Sequence, residues 1–499
     1  MPERGAGILL HPTCLPSPFG VGDLGPAAHE FVDFLAQAGM SLWQMLPLTP
    51  TEPGRGNSPY NSASSFAGNP LLISPELLRD EGLLSDDDLA ESPPLDAERV
   101  DFHQAAALKR RLMERACRRA GERLSLREDL DRFARGQAFW LEDYCLFMAL
   151  AEEFPGKLWN QWPFDIRDRQ PEALEAARQR LAPRLALERF QQWVFQRQWM
   201  ALKARCHDRG VAIIGDMPIY PDFHSADVWA NPDQFKLDGA RAPYVVAGVP
   251  PDYFSATGQR WGNPIYNWDH LRRHGFAWWL ERMGRNLALY DYVRLDHFRG
   301  LVAFWEVPAM EPNAVRGNWQ EAPCRDFFRA LNRRFRSLPI IAEDLGIIDA
   351  AVREARRQQG LPGMVILMFA FGEDNPLNPY LPHNHQPDSV VYTGTHDNNT
   401  LRGWLNEEAD QATRQRLYRY LGRGVSDEDL PWEMVRLALA SVADTAVIPL
   451  QDLLGLGGQA RMNRPSHGEG NWGWRLMPGQ LQGDLAQRLH DLAATYGRL

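Results

Sequence analysis

The feature that most constrains the fold is a series of eight short apolar segments, most of them separated by helical patterns. Most of these segments are continuous rather than alternating in polarity, which is typical of parallel strands covered on both faces. Eight strand–helix units predict a (β/α)8 barrel. The segments span residues 7–11, 42–48, 211–220, 290–298, 339–345, 364–371, 389–397 and 446–450.

An open, doubly wound parallel sheet is the alternative fold for this alternation of strands and helices. Such sheets, when they bind dinucleotides, carry a Gly-x-Gly-x-x-Gly turn after an early strand. The sequence has no such turn at that place. We therefore expect an α/β protein built on a closed TIM barrel, with residues 1–499 in a single domain.

Two long excursions interrupt the barrel pattern. The first follows the second strand, where charged amphipathic runs and capping residues predict a mainly helical insertion at residues 50–200. Ser74 followed by Pro75, for example, is typical of a helix start. The second excursion spans residues 221–269. Its stretch 248–264 has so many glycines, prolines and turn-forming residues that we expect a long irregular loop, a feature that usually serves function.

The composition argues against several classes of partner and site. The formal net charge of −10 disfavours nucleic acid and anionic membranes as partners, and no apolar run approaches the length of a membrane span. The five cysteines are scattered and form no Cys-x-x-Cys pair, so we expect free thiols in a reducing compartment. Because the N-terminus has no signal-peptide pattern, we expect a cytoplasmic protein.

The fourth apolar segment ends in a cluster of charged residues. Arg294 and Asp296 are two residues apart, so on an extended strand they project to the same side. An arginine beside a carboxylate keeps that carboxylate ionised, and Asp296 would then suit nucleophilic attack or charge stabilisation. For this stretch alone, a structural ion pair at a strand end is the alternative.

Acidic residues also occur towards the ends of three other segments. The third segment contains Asp216, the fifth contains Glu343 and Asp344, and the seventh ends at His396 and Asp397. Barrel enzymes carry their functional side chains at the carboxyl ends of the strands, so these residues would meet at one rim. Several carboxylates around one pocket support either divalent-metal catalysis or glycosyl transfer.

Three features favour glycosyl transfer over metal chemistry. Arg294 would repel a cation from the neighbouring Asp296, and no glycine-rich loop suited to phosphate is evident. The loops near the rim are also rich in aromatic and amide side chains, which suit a ligand with hydroxyl groups and apolar ring faces. These side chains are Tyr60, Asn61, Tyr253, Trp261, Asn263, Asn463, Asn471 and Trp472.

Together, these motifs resemble those of the amylomaltase family of 4-α-glucanotransferases, the disproportionating enzymes within the α-amylase clan. The resemblance implies a TIM-barrel enzyme that cleaves an α-1,4 bond in a maltodextrin. The enzyme would then transfer the donor segment to the 4-hydroxyl of another glucan or of glucose. The similar segments are residues 58–62, 66–70, 140–144, 215–220, 248–268, 293–300, 342–346 and 393–398.

The resemblance also implies roles for individual residues. Asp296 would be the nucleophile, Glu343 the general acid and base, and Asp397 a group that binds sugar hydroxyls most strongly in the transition state. Double displacement would retain the anomeric configuration, with the two reacting carboxyl groups about 5 Å apart. We expect the substrate-binding residues to be Tyr60, Asp216, Trp261, Asn263, Arg294, His297, His396 and Asn463.

The sequence departs from the family pattern at two places. The seventh-strand motif of the family usually reads His-Asp-Asn-Asp-Thr, and here Asn399 replaces the second acid. Further on, Arg464 and Ser466 replace a more usual Thr and Gly, a change that could alter either acceptor binding or loop mobility. After the sixth strand, either Glu373 or Asp374 could serve as an acid that faces the acceptor.

Three other functions fit parts of this pattern. A retaining α-1,4-glucan hydrolase would use the same carboxylates and would differ only in how well the 248–264 loop excludes water. A non-catalytic glucan-binding protein would need the same lining without the acids at its centre. A metal-dependent hydrolase would lose activity on chelation. We expect no metal or organic cofactor, α-1,4-glucans as partners, and a monomer or a homodimer.

Overall fold

The computed structural model describes residues 4–92, 95–251, 255–346, 348–465 and 467–499. Tyr253 and Ser466 therefore lie outside the described residues, as does the part of the 248–264 stretch around Tyr253. The described residues form twelve strands: β1 (Gly5–Leu9), β2 (Leu42–Gln44), β3 (Ala212–Met217), β4 (Val245–Val249), β5 (Gln259–Pro264), β6 (Tyr292–Leu295), β7 (Ala303–Pro308), β8 (Asn318–Glu321), β9 (Ile340–Ala342), β10 (Gly363–Ile366), β11 (Ser389–Tyr392) and β12 (Thr445–Pro449).

The same residues form nineteen α-helices, with short 3₁₀ turns between some of them. No helix of the described chain combines the length and the apolar character needed to cross a membrane. The helices are α1 (Pro26–Gln37), α2 (Pro75–Asp80), α3 (Asp86–Ala90), α4 (Phe102–Gly121), α5 (Leu124–Gly136), α6 (Leu141–Glu153), α7 (Phe164–Arg167), α8 (Pro171–Arg180), α9 (Ala182–Asp208), α10 (Ala226–Ala230), α11 (Trp268–Arg273), α12 (Ala277–Leu289), α13 (Cys324–Arg334), α14 (Ala350–Gln358), α15 (Leu401–Glu407), α16 (Gln411–Leu421), α17 (Leu430–Ala440), α18 (Leu450–Leu453) and α19 (Gly483–Thr495).

Eight of the strands form one parallel sheet in the order β10-β11-β12-β1-β2-β3-β6-β9. Each of the eight predicted apolar segments overlaps one of these strands, and the predicted (β/α)8 barrel is confirmed. The first and last of them in the chain are neighbours, with Gly5 of β1 opposite Thr445 of β12. Ile8, Ile213 and Val293 are fully buried, because side chains fill the barrel and helices cover its outer face.

A side chain helps to join the two ends of the eight-stranded sheet, β9 and β10. The N–H of Ala342 donates to the carbonyl oxygen of Pro362 at 2.9 Å, and the N–H of Met364 donates to Oδ1 of Asp344 at 2.8 Å. A Cβ on Gly363 would lie 2.6 Å from the other oxygen of Asp344, so a glycine is needed at this close approach. Asp344, next to Glu343, therefore serves to close the barrel.

Helices α2–α9 lie between β2 and β3. The predicted helix start at Ser74 is confirmed, since its hydroxyl accepts the N–H of Leu77. The last and longest helix of the group, α9, packs against β3 of the barrel. Nε1 of its Trp199 also donates to the carbonyl oxygen of Leu289, at the end of α12, at 3.1 Å. Helix α9 is therefore also the crossover helix that parallel strands require.

The prediction of irregular structure at residues 248–264 is wrong for part of that stretch. Strands β5, β4, β7 and β8 form, in that order, an antiparallel sheet beside the barrel. β5 is an edge strand, where proline and glycine are tolerated, and the β4–β5 register shifts between Val246 and Gly248. The exposure of residues 259–261 removes the apolar pattern by which a strand is usually recognised.

A buried ion pair fastens the helical segment to the loops of the barrel. Nζ of Lys109, on α4, donates to Oδ2 of Asp23 at 2.9 Å and to the carbonyl oxygens of Leu71 and Ile73 at 2.7 and 2.9 Å. The side chains of Lys109 and Asp23 are only 2% and 4% exposed. Buried charges are tolerated only when they are paired and hydrogen-bonded, so this contact fixes α4 against the loops that follow β1 and β2.

Replacement of Lys109 by methionine should destabilise the protein by about 3–5 kcal/mol, because the Asp23 carboxylate and two carbonyl groups would stay buried without their donor. The measurement is the shift in denaturant midpoint. Arg110→Met is the matched control: the neighbouring Arg110 pairs with Glu152 at the surface, and its loss should cost at most about 1 kcal/mol. Equal shifts would contradict this role for Lys109.

Candidate active site

The predicted acidic residues lie at the carboxyl ends of the barrel strands, at one rim. Asp216 is the fifth residue of β3, and Asp296 and Glu343 directly follow β6 and β9. Asp397 lies in the loop between β11 and α15. Since the strands are parallel, these ends meet on the same side of the barrel. The predicted residues then separate into two hydrogen-bonded groups, one around Arg294 and one around Asp397.

Arg294 joins two of the carboxylates. Its Nη1 donates to the two carboxylate oxygens of Asp216 at 2.8 and 2.7 Å, and its Nη2 lies 2.9 Å from Oδ1 of Asp296. The predicted pairing with Asp296 is therefore confirmed. Asp216 is the more buried partner, with no side-chain exposure compared with 30% for Asp296. Arg294 is thus anchored within the protein and presents its other nitrogen to Asp296.

The sheet register explains the anchor. Asp216 and Arg294 are opposite each other in the parallel pair β3–β6. Burial raises the pKa of Asp216, and the charge of Arg294 opposes that rise. Burial also disfavours the charge of Arg294, but Asp216 and Asp296 outweigh it and raise the pKa of the guanidinium. The arginine therefore stays charged beside Asp296.

Glu343 lies in a different environment. It accepts two main-chain hydrogen bonds, from the N–H of His297 to Oε2 at 2.7 Å and from the N–H of Leu345 to Oε1 at 2.9 Å. Burial and the charge of Asp296 nevertheless raise the pKa of Glu343 to about 7, against the charge of Arg294 and these hydrogen bonds. A carboxyl group with such a pKa can donate a proton at neutral pH, as a general acid must.

His297 connects Asp296 to Glu343 through an unusual backbone conformation. Its φ of 51° lies in the left-handed region, which is strained for a residue with a side chain. Its N–H reaches Glu343, and its ring meets that of Trp261 almost at right angles, with the centroids 4.7 Å apart. Burial lowers the pKa of His297 to about 4, so the imidazole is neutral at pH 7 and can donate one hydrogen bond and accept another.

Asp397 is held by two of the predicted binding residues. Nδ2 of Asn463 donates to its Oδ1 at 2.6 Å, and Nε2 of His396 lies 3.4 Å from its Oδ2. Burial disfavours the ionised form, but the charge and hydrogen bond of His396 and the hydrogen bond of Asn463 prevail and hold the pKa of Asp397 well below its usual range. Asp397 is therefore an ionised acceptor for hydroxyl groups.

Tyr60 links the two groups of residues. Its hydroxyl donates to Oδ2 of Asp216 at 2.8 Å, and its ring stacks on that of His396 with the centroids 5.0 Å apart. The ring of Trp472 lies 6.1 Å from both. Trp472 was predicted only as one of the rim aromatics, and the structure places it in this aromatic wall.

Two residues of β5 differ in their relation to the site. Trp261 contacts His297 and remains 38% exposed, so part of its ring is available to a ligand. Asn263 was predicted to bind substrate, but its Nδ2 donates to the carbonyl oxygen of Pro221 at 3.0 Å. That bond fixes β5 to the loop after β3.

Arg461 reaches the site although no role was predicted for it. Its Nη2 donates to the carbonyl oxygen of Asp397 at 2.5 Å, and its Nε donates to that of Asn463 at 2.6 Å. The available signal was its spacing, since it precedes Asn463 by two residues just as Arg294 precedes Asp296. No group of three or more His, Cys, Asp or Glu side chains in the described part of the chain is arranged to hold a metal ion.

Comparisons with known proteins identify the family. A family model described as 4-alpha-glucanotransferase matches residues 10–481. The chain is 48% identical over 503 residues to a 4-alpha-glucanotransferase of Synechocystis sp., covering 99% of this chain and 98% of the relative. It is 47% identical over 504 residues to a 4-alpha-glucanotransferase of Thermus thermophilus, covering 99% of each.

The solved structures agree with the family model. The amylomaltase from Streptococcus agalactiae in complex with acarbose matches with a TM-score of 0.95 and 37% identity, covering 99% of each chain. The amylomaltase from Corynebacterium glutamicum shares the fold, with a TM-score of 0.78 and 19% identity over 99% of this chain and 75% of that one. The chain belongs to the 4-alpha-glucanotransferase family, the amylomaltases.

Proposed function

We propose that this 4-alpha-glucanotransferase uses Asp296 as its nucleophile and Glu343 as its general acid and base, in a retaining double displacement on maltodextrins. The observation that carries this assignment is the contrast between the two carboxyl groups. Asp296 lies 2.9 Å from a buried guanidinium, whereas burial raises the pKa of Glu343 to about 7. A glucan as the ligand agrees with the acarbose bound to the related amylomaltase of S. agalactiae.

In the first half of the reaction, a carboxylate oxygen of Asp296 attacks the anomeric carbon of the donor. The bond from that carbon to the glycosidic oxygen breaks, and Glu343 donates its proton to the leaving oxygen. The leaving fragment departs with a free 4-hydroxyl, Glu343 is left ionised, and the donor segment is covalently attached to Asp296. Arg294, 2.9 Å from Oδ1 of Asp296, orients that carboxylate for the attack.

In the second half, the 4-hydroxyl of an acceptor glucan takes the place of the leaving fragment. Glu343 accepts its proton as the oxygen attacks the anomeric carbon, and Asp296 is released. Two inversions retain the α configuration. Asp397 would bind sugar hydroxyls most strongly in the transition state, and the ring of Tyr60 would stack on the sugar.

A retaining hydrolase would use the same residues with water as the acceptor. Trp261 supports a sugar acceptor, because an exposed ring beside His297 offers an apolar face to a glucose ring. Of the two acids after β10, Asp374 pairs with Arg419 of α16 at 3.4 Å. That pairing favours Glu373 as the acid that faces the acceptor.

The wider organisation of the enzyme is part of the proposal. We infer a single barrel domain, with the helical insertion at residues 50–200 and the excursion at 221–269 framing the rim. The net charge of −10 supports an enzyme without nucleic acid or anionic membrane partners, and we place it in the cytoplasm. It would act as a monomer or a homodimer and without a metal or organic cofactor.

Maltotriose as the sole substrate should give glucose together with maltopentaose and longer oligomers, while the total number of reducing ends stays nearly constant. The reason is that transfer conserves the number of glycosidic bonds. The measurement combines chromatography of the products with a reducing-sugar assay, and EDTA should leave the rate unchanged. A steady gain in reducing ends without longer oligomers would indicate hydrolysis instead.

Replacement of Glu343 by glutamine should lower kcat for maltotriose by at least about 100-fold, since an amide cannot donate the proton that the leaving oxygen requires. The change in KM should be smaller, because the proton transfer occurs only in the transition state. Asp374→Asn is the control, and it should keep kcat close to that of the unmodified enzyme. If Glu343→Gln retained normal turnover, the assignment of the acid would be wrong.

The value of kcat/KM should fall as the pH rises through about 7, the pKa of Glu343. Each pH unit above the pKa lowers the protonated fraction about tenfold. Initial rates between about pH 5 and pH 9 test the predicted fall in kcat/KM. A kcat/KM that did not fall on the alkaline side of that range would contradict the prediction.

The raised pKa also means that the native state holds a proton that the unfolded chain releases, so the contribution of Glu343 to stability falls between pH 4.5 and about 7.

A further inference from the structure

A guanidinium fixes the loop that carries Asp397 by contacting its main chain and not the side chain of Asp397. Arg461, after α18, donates from Nη2 to the carbonyl oxygen of Asp397 at 2.5 Å and from Nε to that of Asn463 at 2.6 Å. The side chains of the same two residues meet at 2.6 Å. Because a guanidinium is planar and rigid, a grip on two carbonyl groups fixes the position of one residue relative to the other.

An acidic residue at the end of α15 orients Arg461 in turn. Oε1 of Glu408 lies 3.4 Å from Nη1 of Arg461 and accepts a hydrogen bond from Nδ2 of Asn399 at 2.9 Å. Nδ2 of Asn399 also donates to Oε2 of Glu407 at 3.1 Å. The contacts therefore run from Asp397 through Arg461 and Glu408 to Asn399, which lies only two residues from Asp397.

An amide is the group that this arrangement requires at position 399. The NH₂ group of Asn399 has two hydrogens to donate, and it contacts both Glu407 and Glu408. A carboxylate would have none to donate, and it would add a third negative charge to a buried position. The departure of Asn399 from the family pattern thus has a physical explanation in the two glutamates that face it.

We propose that Arg461 is a positioning residue that sets Asp397 and Asn463 in place for the sugar, with Glu408 and Asn399 holding its guanidinium in the required orientation. The inference rests on the proposed function, in which Asp397 binds sugar hydroxyls in the transition state. Arg461 acts through the main chain of these residues and through Glu408, so it is not a catalytic residue.

The first test is steady-state kinetics of Arg461→Gln and Arg461→Lys with maltotriose. Glutamine should lower kcat roughly 10- to 100-fold, with a smaller change in KM because Asp397 acts mainly in the transition state. Lysine, a donor without the planar fork, should recover only part of the loss. A kcat for Arg461→Gln within about twofold of the unmodified enzyme would overturn the proposal.

Arg498→Lys is the matched control. Arg498 is also buried and donates to main-chain carbonyl groups, those of Leu439, Gly5 and Ser441 among them, but these lie away from the rim. Its replacement should lower the denaturant midpoint and leave kcat unchanged. If Arg461→Gln, like Arg498→Lys, lost stability but kept its kcat, the role of Arg461 would also be overturned.

The second test leaves Arg461 in place and so remains valid if its variants do not fold. Asn399→Asp should lower kcat. Adding Glu408→Gln should restore most of the loss, because the glutamine amide can donate to the new carboxylate while its Oε1 still accepts from Arg461. A normal kcat in Asn399→Asp, or no recovery in the double variant, would overturn the proposed network. Failure of the unmodified enzyme to form longer oligomers would instead contradict the proposed function.

Discussion

The rim of the barrel depends on one buried guanidinium. A charge as deeply buried as that of Arg294 must be paired, and the register of β3 against β6 supplies Asp216 directly opposite. The pair leaves one nitrogen for Asp296, and Oδ2 of Asp216 also accepts the hydroxyl of Tyr60. Asp296, the proposed nucleophile, and the neighbouring aromatic wall therefore form one hydrogen-bonded unit that two adjacent strands hold.

The three carboxyl groups with different proposed roles also have different surroundings. A guanidinium lies beside Asp296. Burial and a nearby negative charge raise the pKa of Glu343. The surrounding protein disfavours the charge of Asp397, but the partners on both of its oxygens lower its pKa. When the environments of two carboxyl groups differ in this way, their pKa values separate. One group can then act as an acid and the other as a base or nucleophile at the same pH.

The sequence predicts features that follow from local periodicity, such as the barrel strands. It does not predict features that depend on how distant segments pair. The eight barrel strands follow from continuous apolar runs, and the Arg294–Asp296 contact follows from spacing of two residues along a strand. The register of β3 on β6, which makes Asp216 the anchor, is not written in either strand alone. The same holds for β5, an exposed edge strand defined by its partner, and for Arg461, whose contact at Asp397 lies 64 residues away.

The strand order of the barrel also has a consequence for how the chain assembles during synthesis. Leu42 of β2 pairs with Ala212 of β3, so β2 waits for the whole helical segment to emerge before it gains its second neighbour. Gly5 of β1 pairs with Thr445 of β12, the last of the eight barrel strands to be synthesised. Such distant pairings carry a large loop-closure entropy and slow folding. Closure of the barrel, which completes the rim, is therefore a late step in folding.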